Sequence, residues 1–167
     1  MNNPFINTSI KAKSRGHNSQ RQNRSWWEMM PMTYSDWTDN NRIPKTEADF
    51  KQIEEFVGRT GPWLKKWFAT IQVSGLCCLD LGSGSGIFSS LISRKGGNII
   101  SMDITQAGVI LTENLMRHFG VKPKVVCGDA ESIPFESEYF DFIFSWGVLH
   151  HTSDMDRALS EVSRVLK

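Results

Sequence analysis

The chain is poor in the residues that build covalent or metal-held frameworks. Its 167 residues include only three cysteines, Cys77, Cys78 and Cys127. Two are adjacent and all lie in apolar, strand-like runs, so neither a disulfide framework nor a metal site is expected. They read as small buried hydrophobes in a reducing compartment. No apolar run approaches the length of a membrane span, and the first residues lack the apolar stretch of a signal peptide. Cytoplasm is the expected location. An excess of either charge is also missing. The formal net charge is +1, so the chain as a whole is no electrostatic binder of nucleic acid or anionic membrane. The front is locally basic, since Lys11, Lys13, Arg15, Arg21 and Arg24 all precede the first acid, Glu28.

Residues 1–25 are rich in Asn, Ser, Lys and Arg and are expected to form a disordered basic tail, solvated rather than a binding arm. From Trp26 to Trp37 the composition changes abruptly: Trp26, Trp27, Met29, Met30, Met32, Tyr34 and Trp37 crowd together with no helical or strand period. Such a segment must pack on the domain surface or on a ligand. Thr46 with Asp49 then offers a helix start, and Phe50, Ile53, Phe56 and Val57 recur at helical spacing. Gly58, Gly61 and Pro62 break that helix, and Trp63, Leu64, Trp67 and Phe68 stripe a second. Residues 26–70 thus read as an aromatic-rich helical N-terminal segment.

From Gly75 the pattern becomes strand, turn, helix, repeated. Leu76–Leu81, Ile99–Met102, Val125–Cys127 and Phe140–Trp146 are short apolar runs suited to strands buried on both faces. Helices are expected from Ile87 toward Gly96, from Thr105 to Gly120, and from Asp154 onward, the last with Ala158, Leu159, Val162, Val165 and Leu166 on one face. This alternation predicts an α/β domain over residues 71–167: a Rossmann-like parallel sheet with flanking helices, holding four strands.

Ligands of such sheets bind outside the carboxyl ends of the strands. Four places qualify. The first, Asp80-Leu81-Gly82-Ser83-Gly84-Ser85-Gly86, ends a buried strand and opens a helix. Its alternating glycines let backbone approach a ligand, and the helix start favours a negative group. A dinucleotide fingerprint needs Gly or Ala at position 87, where Ile87 stands, so the pattern points away from nicotinamide cofactors. The second is Asp103, about twenty residues beyond: its carboxylate can accept from a ribose, or else cap the following turn. The third is Gly128-Asp129-Ala130-Glu131, where an acid can accept from an adenine amine or form an Asx turn. The fourth is Ser145–His151, whose His150 and His151 are base candidates, or one packed and one solvated histidine. No third ligand stands at metal-binding spacing.

Five ordered stretches resemble the class I S-adenosylmethionine-dependent methyltransferases, within them the group related to the ubiquinone/menaquinone biosynthesis methyltransferases. They are Leu79–Gly86, Ser101–Ile104, Gly128–Phe135, Phe140–His151 and Glu161–Lys167, and the resemblance covers about residues 71–167. It implies S-adenosylmethionine as cofactor and methyl transfer to a small-molecule acceptor. Asp80, Gly82, Ser83, Gly84 and Gly86 would surround the methionine part and Asp103 would hold the ribose. Met102 and Ile104 would line the adenine, Asp129 and Ala130 would meet its edge, and Trp146 would stand beside the methyl group. By analogy with lids in the family, Trp26, Trp27, Tyr34 and Trp37 would contact substrate. The family's sheet usually has seven strands, so a C-terminally truncated sequence is expected, with the fourth strand as an exposed apolar edge. Two other readings stay open: a nucleic-acid or protein methyltransferase, against which no Asn-Pro-Pro-Tyr-type motif follows the fourth strand, and a non-catalytic cofactor-binding or partner domain.

Overall fold

The structure is a computed structural model that describes residues 17–30, 44 and 46–167. Its elements, in chain order, are helices α1 (His17–Met29), α2 (Glu47–Thr60) and α3 (Pro62–Thr70), strand β1 (Cys77–Leu81), α4 (Ile87–Arg94), β2 (Asn98–Asp103), α5 (Gln106–His118), β3 (Val125–Cys127), β4 (Phe142–Phe144) and α6 (Met155–Val165). The helix starts follow local chemistry. Thr46 and Asp49 form a reciprocal capping box on α2, the Thr105 side chain accepts from Gly108 on α5, and the Asp154 side chain accepts from Arg157 on α6. Each cap satisfies amides that have no partner inside the helix.

The strands form one parallel sheet in the order β3-β2-β1-β4. β1 is central, pairing Leu79 with Ile100 on one side and with Ile143 on the other. The chain builds outward from β1 through β2 to β3, then returns to place β4 on β1's far side. This reversal makes the crevice at the strand ends a binding position. Because side chains alternate along a strand, β1 serves two cores. Cys78 joins Phe50, Leu64, Phe68, Phe88, Ile92 and Leu115 on one face, while Leu79 and Leu81 join Met102, Ile133, Phe140, Ala158 and Val165 on the other.

Three details depart from the sequence reading. A helix, α1, runs through the boundary at residue 25 where a tail was expected to end. The fourth strand is shorter than Phe140–Trp146: Phe140 is buried but pairs through a single bridge with Leu166. On α6, Ala158 and Val165 are buried whereas Leu159 is exposed, and Leu166 falls just past the helix end. β4 is an edge strand of the described sheet, and Trp67 of α3 covers one of its faces, lying by Phe142 and Phe144 at ring separations of 6.4 and 5.7 Å. No helix among the described residues is long and apolar enough to cross a membrane.

Candidate functional site

A cavity opens at the carboxyl ends of β1 and β2, between the loops that follow β1, β3 and β4. Its lining includes Gly82, Ser83, Gly84, Met102, Asp103, Ile104, Gly128, Ala130, Trp146 and His151. The strand ends set this arrangement. Gly82 and Ser83 donate their amides to the Met102 carbonyl at 2.7 and 3.0 Å, tying the glycine loop to the end of β2. Gly82 takes φ +80°, and a Cβ there would meet Val148 at 2.1 Å, so the loops after β1 and β4 approach more closely than a side chain allows.

Asp103 sits where the loops converge. Its Oδ2 accepts from the Gly84 amide at 2.9 Å, and its Oδ1 accepts from the Thr105 amide at 2.9 Å and hydroxyl at 2.7 Å. A carboxylate has about four acceptor positions. Three are used, which fixes the group and leaves one for a ligand hydroxyl. Asp103 is therefore both an end-of-strand cap and a cavity wall. Gly108 makes room for it, because a Cβ at that position would stand 2.4 Å from the Asp103 carboxyl carbon.

Asp80 is placed differently from the loop it introduces. It lies on the same face of β1 as Cys78, is 1 % exposed, and does not line the cavity. Ser89 of α4 donates to it at 2.5 Å, with the Ser101 hydroxyl a further 2.7 Å away from Ser89. Burial pushes its carboxyl up to about 7, against the smaller opposing effect of the Ser89 hydrogen bond. This raised value has a consequence for stability. Below the ordinary value of 3.8 both folded and unfolded chains hold the proton. Above it the unfolded chain releases the proton first, so stability falls as pH rises from 3.8 to about 7 and then levels off. Asp80→Asn removes the titration. The melting temperature of this variant is expected to gain on the natural chain between about pH 5 and about pH 8, by the equivalent of roughly 2 kcal/mol. A constant difference across that range would refute the assignment.

The remaining candidates divide. Gly86 packs on Thr112 of α5 outside the cavity, and Asp129 stands behind the lining, accepting from Gln20 at 2.7 Å. His151 lines the cavity and His150 does not; their rings are 4.0 Å apart. Burial, and then the neighbouring His150, lower the His151 pKa below its ordinary value. His151 is therefore the neutral, proton-accepting form at neutral pH. Trp146 lines the cavity and is 44 % exposed, with Trp63 of α3 edge-on at 5.0 Å. Trp27 also lines it, while Trp26 is exposed and outside. Tyr34 and Trp37 lie outside the described residues.

The sequence reading missed Gln20 and Asn23, which reach the cavity from α1. The signal was present but polar: Gln20, Asn23, Arg24, Trp27 and Glu28 recur at helical spacing.

The residues present fit an adenosine-bearing cofactor. The cavity offers a fixed carboxylate with an open acceptor position, apolar walls in Met102, Ile104 and Ala130, and a backbone loop of small residues. Beside that loop the buried Ser85 hydroxyl has no hydrogen-bond partner among the described residues.

Residues 79–167 match a family model described as a methyltransferase domain. The chain is 35% identical over 116 residues to a demethylmenaquinone methyltransferase of Thermobifida fusca, covering 66% of this chain and 48% of that protein. Among solved structures it resembles the YcgJ protein of Bacillus subtilis, with 31% identity, a TM-score of 0.58, and coverage of 65% of this chain and 47% of the other. It also shares its fold with the [4+2]-cyclase SpnF, at 21% identity and a TM-score of 0.61 over 89% of this chain and 57% of that one. The chain spans about half the length, or less, of the curated relatives it matches.

Proposed function

This chain belongs to the methyltransferase-domain family, and from that premise we propose that it carries the cofactor half of an enzyme that methylates a small molecule. The family implies S-adenosylmethionine as the cofactor. The observation that carries the reading is Asp103, held by three donors in a cavity that also presents Met102, Ile104 and Ala130 and the backbone of the Gly82–Gly84 loop. A carboxylate so fixed suits a ribose hydroxyl, and Met102, Ile104 and Ala130 suit the flat faces of adenine. Asp129 stands outside the lining with its Oδ1 taken by Gln20 and the Glu131 amide, so its part at the adenine edge would be to hold Gln20, which lines the cavity. Gly82, Ser83 and Gly84 would take the amino-acid end. Gly86 and Asp80 act from behind, one by seating α4 on α5 and the other by anchoring α4 to β1.

The bound sulfonium supplies an activated methyl group, so what is asked of the protein is placement and exclusion of water. Trp146 and His151, from the segment after β4, line the cavity and would border the acceptor. Where the acceptor must lose a proton, His151 would be the residue to take it, being neutral and inside the cavity while His150 lies outside it. A small aromatic acceptor is favoured by the exposed indoles of Trp63 and Trp146 and by the quinone precursor in the name of a relative. The near-neutral charge, +1, offers nothing comparable to a nucleic acid.

The test supplies S-adenosylmethionine labelled in its methyl group together with a reduced 2-prenyl-1,4-naphthohydroquinone and a total RNA pool. Label is expected in the organic extract. Label in RNA would replace the acceptor class, and binding without transfer to either would reduce the chain to a cofactor-binding domain.

A further inference from the structure

Helix α1 is held on the domain in an unusual way. Its inward residues, Gln20, Asn23, Arg24, Trp27 and Glu28, recur at helical spacing, and four of the five are polar. A helix that belongs to a core turns an apolar stripe inward; α1 turns a polar one. Gln20 donates to Asp129 at 2.7 Å and accepts from the Ser153 amide at 3.3 Å. Asn23 donates to the His151 carbonyl at 2.7 Å. Arg24 donates to the Ile104 carbonyl at 2.6 Å and to Cys127 Sγ at 3.3 Å. Glu28 accepts from the Gln106 and Ala107 amides at 3.0 and 3.2 Å, the first-turn donors of α5 that its Thr105 cap leaves open. The Trp27 ring meets His151 edge-on at 5.2 Å.

These anchor points are not spread over the surface. Ile104, Cys127 and Asp129 lie at or beside the ends of β2 and β3, and His151 and Ser153 lie in the segment after β4. The helix therefore bridges both lips of the cavity, and Gln20, Asn23 and Trp27 complete its wall. Polar bonds such as these, exposed for Asn23, Arg24 and Glu28 and part-buried for Gln20, are individually weak in water. A helix anchored through such bonds opens more easily than one buried by an apolar stripe, and a polar inner face is the appropriate one to lay over a polar ligand.

We propose that α1 is a clamp over the bound cofactor nucleoside, with Gln20 and Asn23 facing it and Arg24 and Glu28 pinning the helix, and that its release sets how fast the nucleoside leaves. The proposal rests on the cofactor reading and assigns to the basic front of the chain a role in the site. A clamp differs from a structural brace in what it controls: a brace affects melting, a clamp affects the dissociation rate more than the association rate.

The experiment measures dissociation of tritiated S-adenosylhomocysteine from the full chain after a chase with excess unlabelled compound. Glu28→Ala and Arg24→Ala are each expected to speed release by about tenfold, with far less change in association. Arg24→Ala keeps the α5 cap intact, so agreement between the two variants excludes mere fraying of α5. Arg21→Ala, on the exposed outer face, is expected to leave release unchanged. Equal dissociation rates in all variants, with saturable binding by the natural chain, would overturn the clamp and leave the cofactor site standing. No binding by a folded natural chain would remove both.

Discussion

Asp103→Ala is expected to weaken binding of S-adenosylhomocysteine by about a hundredfold. The loss has two sources. A hydrogen bond from a ribose hydroxyl to a carboxylate is worth about 1.5–3 kcal/mol, and removing the carboxylate forfeits it. The same substitution strips the Gly84 and Thr105 amides and the Thr105 hydroxyl of their acceptor, so the glycine loop loses one of its ties to the end of β2 and keeps those of Gly82 and Ser83 to the Met102 carbonyl. Together these come to roughly 3 kcal/mol, and each 1.4 kcal/mol is about tenfold in affinity. Asp103→Asn separates the two sources. It retains one carbonyl acceptor, and its binding is expected to fall between the two chains. Affinity in Asp103→Ala within about twofold of the natural chain would remove Asp103 from the site.

Gly86→Ala is expected to lower the melting temperature by roughly 5–15 °C. Gly86 takes φ +82°, a conformation that costs a side chain about 1–2 kcal/mol. An added Cβ would also stand 2.7 Å from the Thr112 Cα, which is backbone and cannot swing aside. Separating α4 from α5 to admit it adds about 1–3 kcal/mol of overpacking. Thr112 matters here beyond its bulk, because its hydroxyl bonds Ser83 at 2.8 Å and the Gly84 carbonyl at 3.1 Å. Shifting α5 therefore disturbs the loop that lines the cavity, and affinity should fall along with stability. Gly58→Ala provides the contrast. That helical position has nothing within 4 Å of a new Cβ, and the substitution is expected to raise the melting temperature slightly. A Gly86→Ala chain that melts with the natural one would mean that the α4–α5 approach is looser than described.

Much of the fold was readable because its signals are local. Thr46, Thr105 and Asp154 announced the helices they cap, since a cap acts within one turn of chain. The four strands were readable as apolar runs because both faces of the sheet are covered. The same burial concealed which way each strand residue points. Asp80 is adjacent to the glycine loop in sequence, yet shares the α4-facing side of β1 with Cys78, and alternation cannot be read where both faces are buried. The two histidines looked equivalent as a pair and are separated only by the turn Leu149–His151, which directs one of them into the cavity. Helix α1 was hidden for a different reason. Its inward stripe is polar, and a search for apolar periodicity reads such a stripe as solvated tail. Asp103 and the Gly82–Gly84 loop were legible because the chemistry of a strand-end site depends on where the strand stops, and the sequence marks that point with glycine and acid.

The claim on which all of this rests is that the cavity beside Asp103 receives S-adenosylmethionine. The most direct test is a calorimetric titration of the natural chain with S-adenosylhomocysteine, set beside the same titration with oxidised nicotinamide adenine dinucleotide. Saturable one-to-one binding of the first and none of the second is the predicted result. A cooperatively folded chain that gives no heat with S-adenosylhomocysteine, or that prefers the dinucleotide, would contradict it.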